Sequence, residues 1–106
     1  MVIVVTSKYR MEAIEEVAEI YFRMRKENPM PAFMKRIGPF FTTDHDQGLT
    51  ALHVYELPKN KLTEGLLWSR KSIAVYKNIP GCTISSQAWT DLEETTKAFG
   101  ISLPKL

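Results

Sequence analysis

The sequence predicts an α+β domain in the order strand, helix, strand, strand, helix, strand, with a short helix at the end. Three observations predict it: a β-branched apolar opening, two stretches with apolar residues three and four apart, and alternating segments bounded by turn residues. The chain has 106 residues, of which 44% are hydrophobic and 25% charged, so residues 1–106 are read as one domain with one core.

Val2 to Ser7 is a run of apolar and β-branched residues, the pattern of a strand buried on both faces. From Arg10 to Glu27 the pattern turns helical, with Met11, Ile14, Val17, Ala18, Tyr21 and Met24 on one stripe. Acidic Glu12, Glu15 and Glu16 come early and basic Arg23, Arg25 and Lys26 late, which complements the helix dipole. Asn28-Pro29 ends this helix, because the residue before proline is pushed out of the helical region. Pro31 to Asp44 reads as a strand that Gly38-Pro39 breaks or bulges. The polar turn Asp44 to Gly48 leads into an alternating strand, Leu49 to Leu57, completing a hairpin.

A second helix is expected from about Lys61 to Tyr76, with Leu62, Leu66, Ile73 and Tyr76 on one side and Gly65 weakening it slightly. Asn78 to Gly81 is a stop and turn, and Cys82 to Trp89 is the last strand. Thr90 to Glu93 has the spacing of a capping box opening a helix that stops at Gly100. The tail from Ile101 to Leu106 reads as a docked edge segment. This order fits a ferredoxin-like unit, an antiparallel four-stranded sheet with two helices on one face.

Fourteen basic against twelve acidic residues give a net charge of +2, too small an excess to argue for nucleic acid or an anionic membrane. No apolar run approaches the roughly 20 residues of a membrane span, and the opening lacks the basic leader of a signal peptide. The single cysteine, Cys82, cannot form an internal disulfide. A cytoplasmic location is therefore expected.

Alternation divides each strand into two sets. The small apolar sets (Leu52 and Val54; Cys82, Ile84, Ser86 and Ala88) are expected beneath the helices. The remaining set, His53, Tyr55, Ser85, Gln87 and Trp89, is then expected on the open face, where its aromatic and polar mixture calls for a partner or a ligand.

On these features the chain resembles the dimeric α+β barrel superfamily, and within it the small prokaryotic members without assigned activity. The resemblance spans nearly the whole chain. It rests on Val2-Ile-Val-Val-Thr6, the hairpin around Asp44 to Gly48, His53-Val-Tyr-Glu-Leu57 running into Asn60-Lys-Leu62, and Ile79-Pro-Gly81. It implies a homodimer formed through the open sheet faces, with a small organic ligand held in a cavity between sheet and helices. Some members are cofactor-free monooxygenases, isomerases or haem-degrading enzymes. The haem-degrading pattern pairs an asparagine on the first strand with tryptophan and histidine; here the first strand has no asparagine, although Trp68 is present. No cofactor is expected.

His53 is the candidate catalytic residue, as its ionisation range suits proton transfer near neutrality. The competing reading, a hydrogen-bonded histidine in a dimer interface, is favoured because no nucleophile or carboxylate is fixed beside it by spacing. The candidate ligand-binding set is His53, Tyr55, Gln87, Trp89 and Arg36. Lys35 and Arg36 fall on opposite sides of the second strand, and a cation at a cavity mouth would attract a carboxylate-bearing ligand; a charge that blocks edge pairing is the alternative. Phe40 and Phe41 split between the faces in the same way. Asp44-His45-Asp46 is read as a solvated turn rather than a metal site, since three adjacent turn residues rarely converge on one ion. Cys82 is read as buried and inert, and Trp68 as packing or as a cover over the cavity. The basic aromatic signature of RNA-binding sheets is missing from Leu49 to Leu57. The alternatives to ligand binding are a cofactor-free enzyme acting on a small organic compound and a structural interaction domain.

Overall fold

A computed structural model describes residues 1–43, 48–102 and 104. Four strands, β1 (Val2–Arg10), β2 (Lys35–Thr43), β3 (Gly48–Glu56) and β4 (Thr83–Trp89), form one antiparallel sheet in the order β2-β3-β1-β4. Three α-helices, α1 (Ile14–Glu27), α2 (Leu62–Ala74) and α3 (Leu92–Ala98), complete the fold. Both β1 and β2 pair with β3, so α1 links two parallel strands across an intervening one. β3 and β4 straddle β1 in the same way, joined by α2.

Strand β1 runs three residues beyond its expected end, because its pairing continues to Arg10 opposite Gly48. Within it Ile3, Val5, Ser7 and Tyr9 are buried while Val2, Val4 and Thr6 are only half-buried. The expectation of a strand buried on both faces is thus corrected: within one chain the helices cover one face. A single 3₁₀ turn, Met11–Ala13, intervenes before α1, which starts later than its apolar stripe predicts. Gly38-Pro39 does bulge β2, shifting its register on β3 between Ile37 and Phe40. Capping of α3 differs by one residue from the predicted box. Asp91, not Thr90, is the N-cap: its carboxylate accepts from the Glu94 N–H at 2.7 Å, and Glu94 Oε1 accepts from the Asp91 N–H at 3.3 Å.

The core lies in two clusters. One joins Tyr9, Ala13, Val17, Ile20, Ala51, Tyr76 and Ile79, tying α1 to the middle of the sheet. The other joins Ile3, Val5, Met34, Tyr55 and Leu57, with Leu66 and Trp68 of α2 against it. Both helices therefore cover the same sheet face, but not at the same height. α2 sits close on β4 and β1. Gly65 makes this possible: a Cβ there would meet Leu57 Cδ1 at 2.5 Å and Ile3 Cδ1 at 3.0 Å. One turn on, Ser69 is 1% exposed and its Oγ shares a 2.7 Å hydrogen bond with Ser86 Oγ of β4. The glycine read as a mild weakness of the helix is the residue that lets it reach the sheet. Among the described residues, no helix is long and apolar enough to cross a membrane.

Candidate functional site

Side chains fill only part of the interval between the sheet and α1. A cavity of about 590 Å³ lies there, within the roughly 300–1,000 Å³ range of ligand pockets. Val5, Ala51, His53 and Tyr55 form its floor, Val17 and Tyr21 its α1 wall, and Trp68, Ser69 and Ser72 its α2 wall. Phe22 and Phe41 line it while remaining 61% and 58% exposed, which puts its mouth between α1 and β2.

Cross-strand pairing decides which predicted site residues meet here. His53 lies opposite Val5, and Val5 lies opposite Ser86, so these three share one face. Likewise Tyr55, Ile3 and Ala88 form a row, and Arg36 lies opposite Tyr55. His53, Tyr55 and Arg36 therefore stand beneath the helices, whereas the sequence placed His53 and Tyr55 on the open face. Gln87 and Trp89 pair with Val4 and Val2 and do face away from the helices. The proposed five-residue set is split by the sheet. Alternation gives each strand two sets but does not say which sets of different strands share a face; the register across β1 matches odd positions of β3 to even positions of β4, where the sequence pattern predicts odd to odd. Trp89, 55% exposed, borders a second and more open recess with Phe33 and Glu56.

The three residues brought together form one stacked array. The His53 and Tyr55 rings are 6.4 Å apart and nearly parallel, with an interplanar angle of 6°. Tyr21 approaches His53 from α1 at 5.7 Å, and Trp68 meets the Tyr55 edge at 5.1 Å and 81°. The guanidinium of Arg36 lies 5.7 Å from the centre of the Tyr55 ring. At the rim, Arg25 stands 5.7 Å from the Tyr21 ring.

Two buried polar atoms in this array, Arg36 Nε and His53 Nδ1, have no hydrogen-bond partner among the described residues. Burial, and secondarily the positive charge of Arg36, lowers the His53 pKa from 6.5 to about 4, so the imidazole is neutral at physiological pH. Burial likewise raises the Tyr55, Tyr76 and Tyr9 phenols, Tyr55 against an opposing pull from Arg36.

Asn28, the C-cap of α1, fastens that helix to α2. Its side-chain amide donates to Ser72 Oγ at 2.7 Å and to the Trp68 carbonyl at 3.3 Å, and its own carbonyl accepts from Trp68 Nε1 at 3.0 Å. Trp68 is thus held in place as part of the cavity wall. Sequence reasoning placed Tyr21 and Tyr76 in apolar helical stripes; their hydroxyls within such stripes were the available signal of a polar interior. Asn28 carried only the signal of a helix stop.

Lys35 turns to the open face opposite Glu56, and Arg36 to the cavity. Phe40 and Phe41 also divide, Phe40 outward and Phe41 to the mouth. Cys82 is half-buried rather than buried, lines the cavity, and has its thiol pKa raised by burial. Asp44, His45 and Asp46 lie outside the described residues. Among the described residues, no group of three potential ligands could hold a metal ion. No protein-family model matches this chain, and no curated protein matches it.

Proposed function

We propose that the chain binds a small organic molecule in the cavity between the sheet and α1. The observation that carries this reading is the pair of buried, unpartnered polar atoms, Arg36 Nε and His53 Nδ1, in a cavity whose lining is mostly aromatic and aliphatic. An unpartnered buried polar group costs on the order of 1–3 kcal/mol, so a molecule that supplied both partners would recover much of that cost on binding. Binding is favoured over turnover because an imidazole with a pKa near 4 is a poor general base at neutral pH. Native mass spectrometry of purified protein tests the reading. A co-purified adduct is expected in the wild type and is lost in Ala51→Trp, which fills the cavity floor; an adduct that persists in that variant would place the ligand elsewhere.

The ferredoxin-like and dimeric-barrel readings belong to the same proposal. Two interlocked crossovers support the first. The second is supported by the apolar content of the uncovered face, where Leu52, Phe40 and Trp89 are 37%, 55% and 55% exposed beside half-buried Val2, Val4 and Val54. A second copy laid on this face would give the first strand the two-sided burial its sequence resembles. Sedimentation at micromolar concentration is expected to show a dimer that Leu52→Glu dissociates; a wild-type monomer sinks the pairing.

A further inference from the structure

The charge balance of the cavity narrows what it can hold. Arg25 and Arg36 line it, and among the described residues no aspartate or glutamate does. Among the described residues neither arginine takes part in an ion pair. Arg36 is the deeper of the two: it is half-buried, whereas Arg25 is exposed at the rim. Its Nε–H points into buried space without an acceptor, and His53 Nδ1 is unpartnered in the same array.

We propose that the cavity is a site for an organic carboxylate with an apolar body, the acid group held by Arg36 and His53. This rests on the small-molecule reading above and names its chemical class. A carboxylate presents two acceptor oxygens, which suit a guanidinium N–H and the N–H of a neutral imidazole held as its Nδ1 tautomer. With no acidic partner among the described residues, the Arg36 charge is available for the ligand to neutralise. The rest of the ligand meets aromatic and aliphatic surface. From His53 the floor continues through Ala51 to Leu49, four residues or about 13 Å along the strand, with Tyr9 opposite Leu49 at its far end. Ala51, at 2% exposure, keeps the middle of that floor low. The acid end therefore sits beside Tyr55 and Trp68, and the body runs along β3 beneath α1.

Calorimetric titration of the full chain at neutral pH tests this with two matched pairs, 2-naphthoate against 2-naphthamide and octanoate against octanol. Each acid is expected to bind about tenfold or more tightly than its neutral partner. Arg36→Gln is expected to remove that preference by weakening the acids while leaving the neutral compounds within about twofold. If Arg36→Gln does not fold by circular dichroism, the wild-type acid-to-neutral ratio and His53→Gln carry the test. Equal binding of acid and neutral partner overturns the carboxylate assignment and leaves the small-molecule reading standing. Failure of all four compounds to bind overturns both. An acid preference undiminished in both Arg36→Gln and His53→Gln also overturns it, by removing the two residues that define the site.

Discussion

Helices α1 and α2 cover the same sheet face by opposite means. α2 meets the sheet through Gly65 and Ser69, the two residues of that helix that are fully enclosed. α1 brings Val17, Ile20 and Tyr21 to its inner side and leaves about 590 Å³ beneath it. Small residues let backbones approach, so the α2 side is close-packed, and the buried Ser69 hydroxyl there is satisfied by Ser86 and the Leu66 carbonyl. Larger residues hold the α1 side away, and the buried polar atoms there, Arg36 Nε and His53 Nδ1, have no partner among the described residues. The α2 side of the interior is closely packed, and the α1 side keeps a cavity.

The largest test of this contrast is Gly65→Val. Its Cβ would fall 2.5 Å from Leu57 Cδ1, so α2 must rise or the core must shift, and about 3 kcal/mol of stability is expected to be lost in urea unfolding. A change under about 1 kcal/mol would show that α2 has slack and the contrast is overstated.

Next is the response of His53 to acid. Its folded pKa, about 4, lies below its ordinary 6.5, so the unfolded chain binds more protons between those values. The stability from the neutral buried imidazole is present above pH 6.5 and is lost as pH falls towards 4. The full difference is on the order of 3 kcal/mol, reduced by residual solvent access. His53→Gln should flatten that part of the stability–pH curve, and an unchanged curve would mean that the imidazole is not enclosed.

Asn28→Ala removes the side-chain part of the tether between the end of α1 and α2 and leaves the Trp68 Nε1 bond to the backbone carbonyl. Loss of the Ser72 and Trp68 contacts is expected to cost about 1–2 kcal/mol and to speed amide exchange in the last turn of α1 more than in α2. Equal acceleration in both helices would contradict a tether that serves mainly α1. The smallest effect is expected for Ala51→Leu, which grows into the cavity and should change stability by less than about 1 kcal/mol. A large loss there would show that the cavity floor is as unyielding as the α2 contact.

Much of the fold was legible residue by residue. The Met11-to-Met24 stripe, Asn28-Pro29, the Gly38-Pro39 bulge and the hairpin between β2 and β3 are local signals, and each produces the element it implies. Less of the site was legible. His53, Tyr55 and Arg36 were chosen as ligand-binding candidates, and they do come together, but on the face opposite to Gln87 and Trp89. Their composition marked them as unusual for a strand; nothing local marked which side would be covered. Asn28 and Ser69 went unread because their roles depend on partners 40 and 17 residues away.

The sequence by itself determined the kind and order of the elements, because helix periodicity, proline and glycine act within a few residues of chain. It also determined that each strand has two sets of side chains, since alternation is a property of extended backbone. Tertiary structure decided which sets face the helices, because pairing through β1 places His53 in one row with Ser86 and not with Ser85 or Gln87. It also decided that the interior holds a cavity. That volume is the difference between how closely α2 and α1 approach the sheet, and it exists only once both helices are seated on it.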